Sequence, residues 1–143
     1  MIDFHSRNQE GHHHRLLLVE DHPGSAESIG RLLTQFGYEV RIERDGLAAV
    51  ETARDFAPEA ALIDLSLPSL DGFGVAVRLR SMESTRDAAL IAMTGWNDDE
   101  HEERARAAGF DTHLVKPITV DALIDALSGT LARSRRRSPG VAH

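Results

Sequence analysis

Lys116 is the only lysine among 16 basic residues; the rest are arginines. A chain that uses arginine everywhere else keeps a compact ammonium here, where a planar guanidinium would not serve. Lys116 closes the apolar run Leu114-Val115. Three earlier apolar runs close on Glu20-Asp21, on Asp64 and on Thr94. Three carboxylates, a hydroxyl and an ammonium therefore stand at the ends of four different strand-like segments. Carboxylates that converge repel one another and need a cation or protonation. Oxygen donors in a chain without cysteine favour a hard ion, Mg²⁺ above all. Mg²⁺ keeps several waters and bridges to phosphate oxygens, which suits an acidic site that receives a phosphoryl group. Lys116 can pair with Asp64 or with that group, Thr94 can donate a hydrogen bond to it, and Gly95 leaves room beside it. A carboxylate attacking phosphorus here would form an aspartyl phosphate, with positioning and charge neutralisation supplying most of the catalysis.

The elements that must position these groups alternate strand and helix from Arg15 onward. Leu16–Val19 is continuously apolar, as for a strand covered on both faces. Pro23 suits the first turn of a helix; Ile29, Leu32, Leu33 and Phe36 recur at helical spacing, and Gly37 is a stop signal. Tyr38, Val40 and Ile42 alternate with charged residues, which predicts a half-exposed edge strand. Asp45-Gly46 turns into a helix through Leu47, Val50 and Ala53. Ala60–Leu65 is the third strand, Ser66–Gly72 a loop, and Phe73–Ser81 a helix. Leu90–Thr94, a helix near Asp98–Ala108 ending at Gly109, Thr112–Val115 and a last helix marked by Val120, Leu123, Leu127 and Leu131 complete the series. Five βα units predict an α/β fold, a doubly wound five-stranded parallel sheet. An edge position for the second strand favours the order 2-1-3-4-5, with ligands binding beyond the carboxyl ends at the switch between strands 1 and 3. All five chemically capable residues lie at those ends.

With 143 residues the chain fits one domain large enough to bury a core. Its apolar stretches are too short to span a membrane, and no secretory signal is visible. The expected compartment is cytoplasmic. A net charge of −7 argues against nucleic acid as the main partner. Residues 1–14, with His12, His13 and His14, read as a flexible arm; 15–131 read as the folded domain, and 132–143, with Arg133, Arg135, Arg136 and Arg137, as a basic tail.

The chain resembles the receiver domain of bacterial two-component signalling, the response-regulator fold. The resemblance rests on Leu17-Leu18-Val19-Glu20-Asp21-His22, Leu62-Ile63-Asp64-Leu65-Ser66-Leu67-Pro68, Asp71-Gly72, Met93-Thr94-Gly95, Ala107-Ala108-Gly109 and Leu114-Val115-Lys116-Pro117, in order and at receiver-like spacings. It implies that Asp64 is the phosphoacceptor. It implies Asp21 as a direct Mg²⁺ ligand, Glu20 as a ligand through water, and the Ser66 backbone carbonyl as the last protein ligand. Thr94 and Lys116 would hold the phosphoryl oxygens and report phosphorylation. The donor would be a phosphohistidine on a sensor histidine kinase or on a histidine phosphotransfer protein. One position departs from the pattern: His113 stands where the family often has tyrosine or phenylalanine, which puts the usual aromatic switch in doubt.

Plainer readings stand beside these. Glu20-Asp21 could cap the first helix, but a cap needs one acid. His113 reads equally as a switch or as a packed histidine. Trp96 reads as a partly exposed loop residue over the site, and Asp98–Glu103 as a solvated face at a helix N-terminus. A haloacid-dehalogenase-type phosphatase needs a second aspartate where Ser66 stands. A pseudo-receiver that only binds partners would have lost an acid or the lysine. After Leu131 only 12 residues remain, so the expected output passes through a downstream protein partner, a homodimer or a kinase core. The chain reads as a stand-alone receiver or as the receiver of a hybrid histidine kinase.

Overall fold

The computed structural model describes residues 14–137. Ten elements alternate: β1 (Arg15–Val19), α1 (Pro23–Gln35), β2 (Glu39–Glu43), α2 (Gly46–Phe56), β3 (Ala60–Asp64), α3 (Gly72–Ser81), β4 (Ala89–Thr94), α4 (Asp99–Ala108), β5 (Thr112–Val115) and α5 (Val120–Arg137). The strands form one parallel sheet in the order β2-β1-β3-β4-β5, as the sequence predicts. β3 and β4 are buried along their whole length, while β2 is mostly exposed and forms an edge. Successive side chains of a strand point to opposite faces, so each apolar run feeds two cores. Leu17, Val19, Ala61 and Ile63 pack with residues of α2, α3 and α4. Leu16, Leu18, Leu62, Ile91 and Met93 pack with residues of α1 and α5.

Each of the first four helices begins on a side chain that accepts a hydrogen bond from its first turn: His22, Asp45, Asp71 and Asp98. These caps close the first four βα turns at the carboxyl end of the sheet. The turns are therefore short and fixed, and the residues that end the strands are held level. α4 differs from its neighbours: Ala105 is its single buried residue.

Two boundaries differ from the sequence reading. His14, expected in the arm, is buried: its carbonyl accepts the Glu39 N–H at 2.9 Å and its ring meets Glu59 at 3.2 Å. The hydrogen-bond ladder thus begins two residues before the apolar run. The last helix runs past Leu131 to Arg137, since arginine is a good helix former and its charge suits a helix C-terminus. The rest of the expected arm and tail, residues 1–13 and 138–143, lies outside the described residues.

Candidate functional site

Sheet register sets the site. Val19 is opposite Ile63, Asp64 opposite Met93, and Thr94 opposite Val115. The next residues continue the ladder: the Leu65 N–H donates to the Met93 carbonyl at 3.0 Å, and the Lys116 N–H to the Thr94 carbonyl at 2.7 Å. Glu20, Asp64, Thr94 and Lys116 consequently share one rim. Glu20, Asp64 and Thr94 are buried, at 2%, 4% and 3% exposure. Asp21 is exposed. The Lys116 ammonium donates to Asp64 Oδ2 at 2.6 Å and stands 3.5 Å from Glu20 Oε1. The Ser66 N–H donates to the other Asp64 oxygen at 2.9 Å, so each carboxylate oxygen of Asp64 has a fixed donor. The His22 N–H donates to Glu20 Oε2 at 3.1 Å. The Thr94 hydroxyl oxygen accepts the Trp96 N–H at 2.9 Å. Lys116-Pro117 is a cis peptide.

Burial pushes the Glu20 carboxyl above the ordinary glutamate range. The neighbouring Asp64 charge adds to the rise, while the His22 N–H and Lys116 oppose it. For Lys116, burial works against the charged form, but the hydrogen bond and charge of Asp64, with Glu20 behind it, outweigh burial and hold the ammonium above the usual lysine value. The acidic cluster and the lysine thus stabilise each other's charges incompletely: an excess of negative charge remains.

That excess fits a divalent cation. Ligand oxygens of Glu20, Asp21 and Asp64 lie within 4.8 Å of one another. Glu20 Oε1 is buried and makes no hydrogen bond, its nearest cation being the Lys116 ammonium at 3.5 Å. A buried carboxylate oxygen of this kind carries a desolvation cost that coordination would remove. The donors are all oxygens, which suits Mg²⁺.

Of the residues singled out from sequence, Glu20, Asp21, Asp64, Thr94 and Lys116 come together, and Ser66 sits against Asp64 through its backbone. His113 does not join them. It lies in β5 opposite Ala92, with Nδ1 4.0 Å from Glu102 of α4, and lines a small pocket that Thr94, Trp96 and His101 also line. Trp96 is 40% exposed and stacks on His101, their ring centroids 4.2 Å apart. The sequence reading assigned no role to Gly72. A Cβ there would lie 2.4 Å from the Asp64 carbonyl oxygen, so only glycine lets α3 start against the strand that carries Asp64. The Asp71-Gly72 pair after the loop was the available signal.

A family model described as the response regulator receiver domain matches residues 16–128. The chain is 32% identical over 116 residues to the polar-differentiation response regulator DivK of Brucella ovis, covering 81% of this chain and 94% of that protein. It is 29% identical over 129 residues to the DNA-binding dual master transcriptional regulator RpaA of Synechocystis, covering 90% of this chain and 54% of RpaA, so it spans about half of that relative. Among solved structures it is similar to the receiver domain of the sensor histidine kinase PA1611 from Pseudomonas aeruginosa PAO1, crystallised with a magnesium ion coordinated in its active site cleft. That match has a TM-score of 0.77 and 32% identity, covering 83% of this chain and 98% of that one. A putative response regulator from Chloroflexus aurantiacus matches with a TM-score of 0.79 and 30% identity, covering 84% and 98%. With the family pattern matched from β1 into α5 and the acidic cleft built at the predicted rim, the chain belongs to the response regulator receiver domain family of two-component signalling.

Proposed function

We propose that the chain accepts a phosphoryl group on Asp64 from a phosphohistidine of a sensor histidine kinase or a histidine phosphotransfer protein, with Mg²⁺ as cofactor. The observation that carries this reading is the contact of Lys116 with Asp64, at 2.6 Å, inside a cluster of three carboxylates. Glu20, Asp21, Asp64 and the Ser66 carbonyl would hold the ion. Bound Mg²⁺ would neutralise charge between the carboxylates and the incoming phosphoryl oxygens. An oxygen of Asp64 forms the new P–O bond as the P–N bond of the donor breaks; the imidazole nitrogen keeps the electron pair and takes a proton from water. Lys116 shifts from the carboxylate toward a phosphoryl oxygen, and the Thr94 hydroxyl donates to another. Water later cleaves the acyl phosphate at the same site, so the chain acts on itself alone.

Thr94 and Lys116 stand at the ends of neighbouring strands, and His113 of the second strand meets Glu102 of α4 at 4.0 Å. Their movement toward the phosphoryl group would be read on the face of α4, β5 and α5 by a downstream protein or by a second copy in a homodimer. No helix among the described residues is long and apolar enough to cross a membrane. A kinase-borne phosphohistidine donor implies a cytoplasmic site of action.

Acetyl phosphate or phosphoramidate with Mg²⁺, followed by acid quench and intact-protein mass spectrometry, tests the reading. Wild type gains one phosphoryl group and Asp64→Asn gains none. An adduct on Asp64→Asn, or none on wild type, overturns it.

A further inference from the structure

The loop that follows Asp64 packs Leu65, Leu67 and Leu70 on the core, and its polar residues are held by a few hydrogen bonds. Its base is closed by the Gly72 N–H, which donates to the Leu65 carbonyl at 3.0 Å. Its tip is held from the side by the start of α2. The Gly46 N–H donates to the Pro68 carbonyl at 3.2 Å, and the Leu47 N–H to the Ser69 hydroxyl oxygen at 3.2 Å. The Ser69 hydroxyl itself donates to Asp45 Oδ1 at 3.2 Å, the same oxygen that caps α2 through the Ala48 N–H at 2.8 Å. One carboxylate oxygen therefore starts a helix and pins a loop.

Ser69 makes these contacts from a left-handed backbone, φ 67°. That region disfavours a side chain, and glycine would occupy it without strain. A strained residue persists where its surroundings hold it, and such residues collect at functional sites. Here the side chain does what glycine could not: its hydroxyl is both acceptor and donor across the gap between α2 and the loop. Gly46 completes the fit, since a Cβ there would lie 1.8 Å from the Leu70 carbonyl oxygen.

From this geometry we infer that Asp45 and Ser69 form a latch that presets the loop carrying Ser66, so that the cation and the phosphoryl group meet a cleft needing little rearrangement. Both are positioning residues; neither touches the reacting atoms. The inference rests on the reading of Asp64 and Ser66 given above. A preset loop lowers the ordering cost of each binding event, and α2 becomes mechanically tied to the phosphorylation site through its own cap.

Ser69→Gly separates positioning from stability, because it removes the hydroxyl and relieves the strain together. The intact chain carrying it should melt at the wild-type temperature or above. Its Mg²⁺ affinity by calorimetry, without any phosphodonor, should nonetheless fall about five-fold, the worth of roughly one neutral hydrogen bond. Hydrogen exchange at the Leu47 amide should quicken, and phosphorylation by acetyl phosphate at saturating Mg²⁺ should slow. Ser69→Ala should weaken Mg²⁺ similarly with no gain in melting temperature. Asp45→Asn keeps the cap and the acceptor and should bind Mg²⁺ as wild type does. Wild-type Mg²⁺ affinity in Ser69→Gly would overturn the latch, whatever its melting temperature. A wild-type chain that binds Mg²⁺ but never takes a phosphoryl group would sink the reading of Asp64 alone; calorimetry and exchange would still decide the latch.

Discussion

Glu20 shows how much of this site is unfavourable until it is used. Its side chain is buried, one oxygen has no hydrogen bond, and its carboxyl is held above the ordinary range chiefly by desolvation. A carboxyl raised in this way contributes stability that is complete below its unfolded value, about 4.3. That contribution is lost as pH rises through the higher folded value. The metal-free protein should therefore lose stability at this residue as pH rises above the unfolded value. Glu20→Gln removes the charge and keeps an acceptor for the His22 N–H. Melting curves in EDTA from pH 4 to 8 should show it more stable than wild type at neutral pH, by about 1 kcal/mol, the lower end of the cost of an unsatisfied buried group. Adding Mg²⁺ should reverse the ranking, because the variant loses a ligand. Equal pH profiles for the two proteins would contradict this account of the burial.

At the scale of elements, the close start of α3 and the loose packing of α4 pull in different directions. Gly72→Ala forces its Cβ toward the Asp64 carbonyl oxygen and the Leu65 Cα, both backbone atoms that cannot give way. The expected loss is about 1–3 kcal/mol, as for other overpacked sites. Denaturant unfolding measures it, and phosphorylation should slow because Asp64 shifts with its strand. α4 is held differently. Its one buried side chain is Ala105, its surface is charged, and its start depends on Asp98, whose side chain accepts the His101 N–H at 2.8 Å. Few buried contacts mean a low cost of local opening. Asp98→Ala should speed amide exchange across the first turn of α4 and leave β1, β3 and β4 protected. The His101 N–H, with the His101 ring behind it, holds the Asp98 carboxyl below the usual aspartate range. Its capping contribution is therefore present above the unfolded value and fades only as pH falls through the lower folded one. Exchange in that turn should be insensitive to this group between pH 5 and 8.

Across the whole molecule, a rigid sheet core carries a polar rim beside one weakly packed helix. β3 and β4 cannot shift without disturbing both cores. Thr94 and Lys116 can turn by side-chain motion, and α4 can follow. Beryllofluoride, standing in for the phosphoryl group, should shift amide signals at Asp64 and across residues 95–120 in NMR spectra. Shifts confined to the pocket would instead describe a relay that passes phosphate on without changing its outer face.

The order of the elements, the sheet topology and the five side chains of the rim were all legible in the chain. Apolar runs buried on two faces, an alternating edge strand and a polar residue closing each run are local patterns, and local patterns survive in a sequence. So was the place of Lys116, because a single lysine among arginines stands out without any structure. What needed the folded chain were relations between distant residues. That Glu20 Oε1 is left without a hydrogen bond depends on how deeply β1 sits between β2 and β3. The pairing of His14 with Glu59, the latch of Asp45 on Ser69, and the contact of Gly72 with Asp64 each join segments whose spacing carries no period. Nor does any local pattern mark the strain at Ser69, since a serine in a loop is ordinary until its backbone angle is known. Composition and periodicity set which face each residue occupies; packing alone set which atoms met, and so which carboxylate oxygen was left without a hydrogen bond.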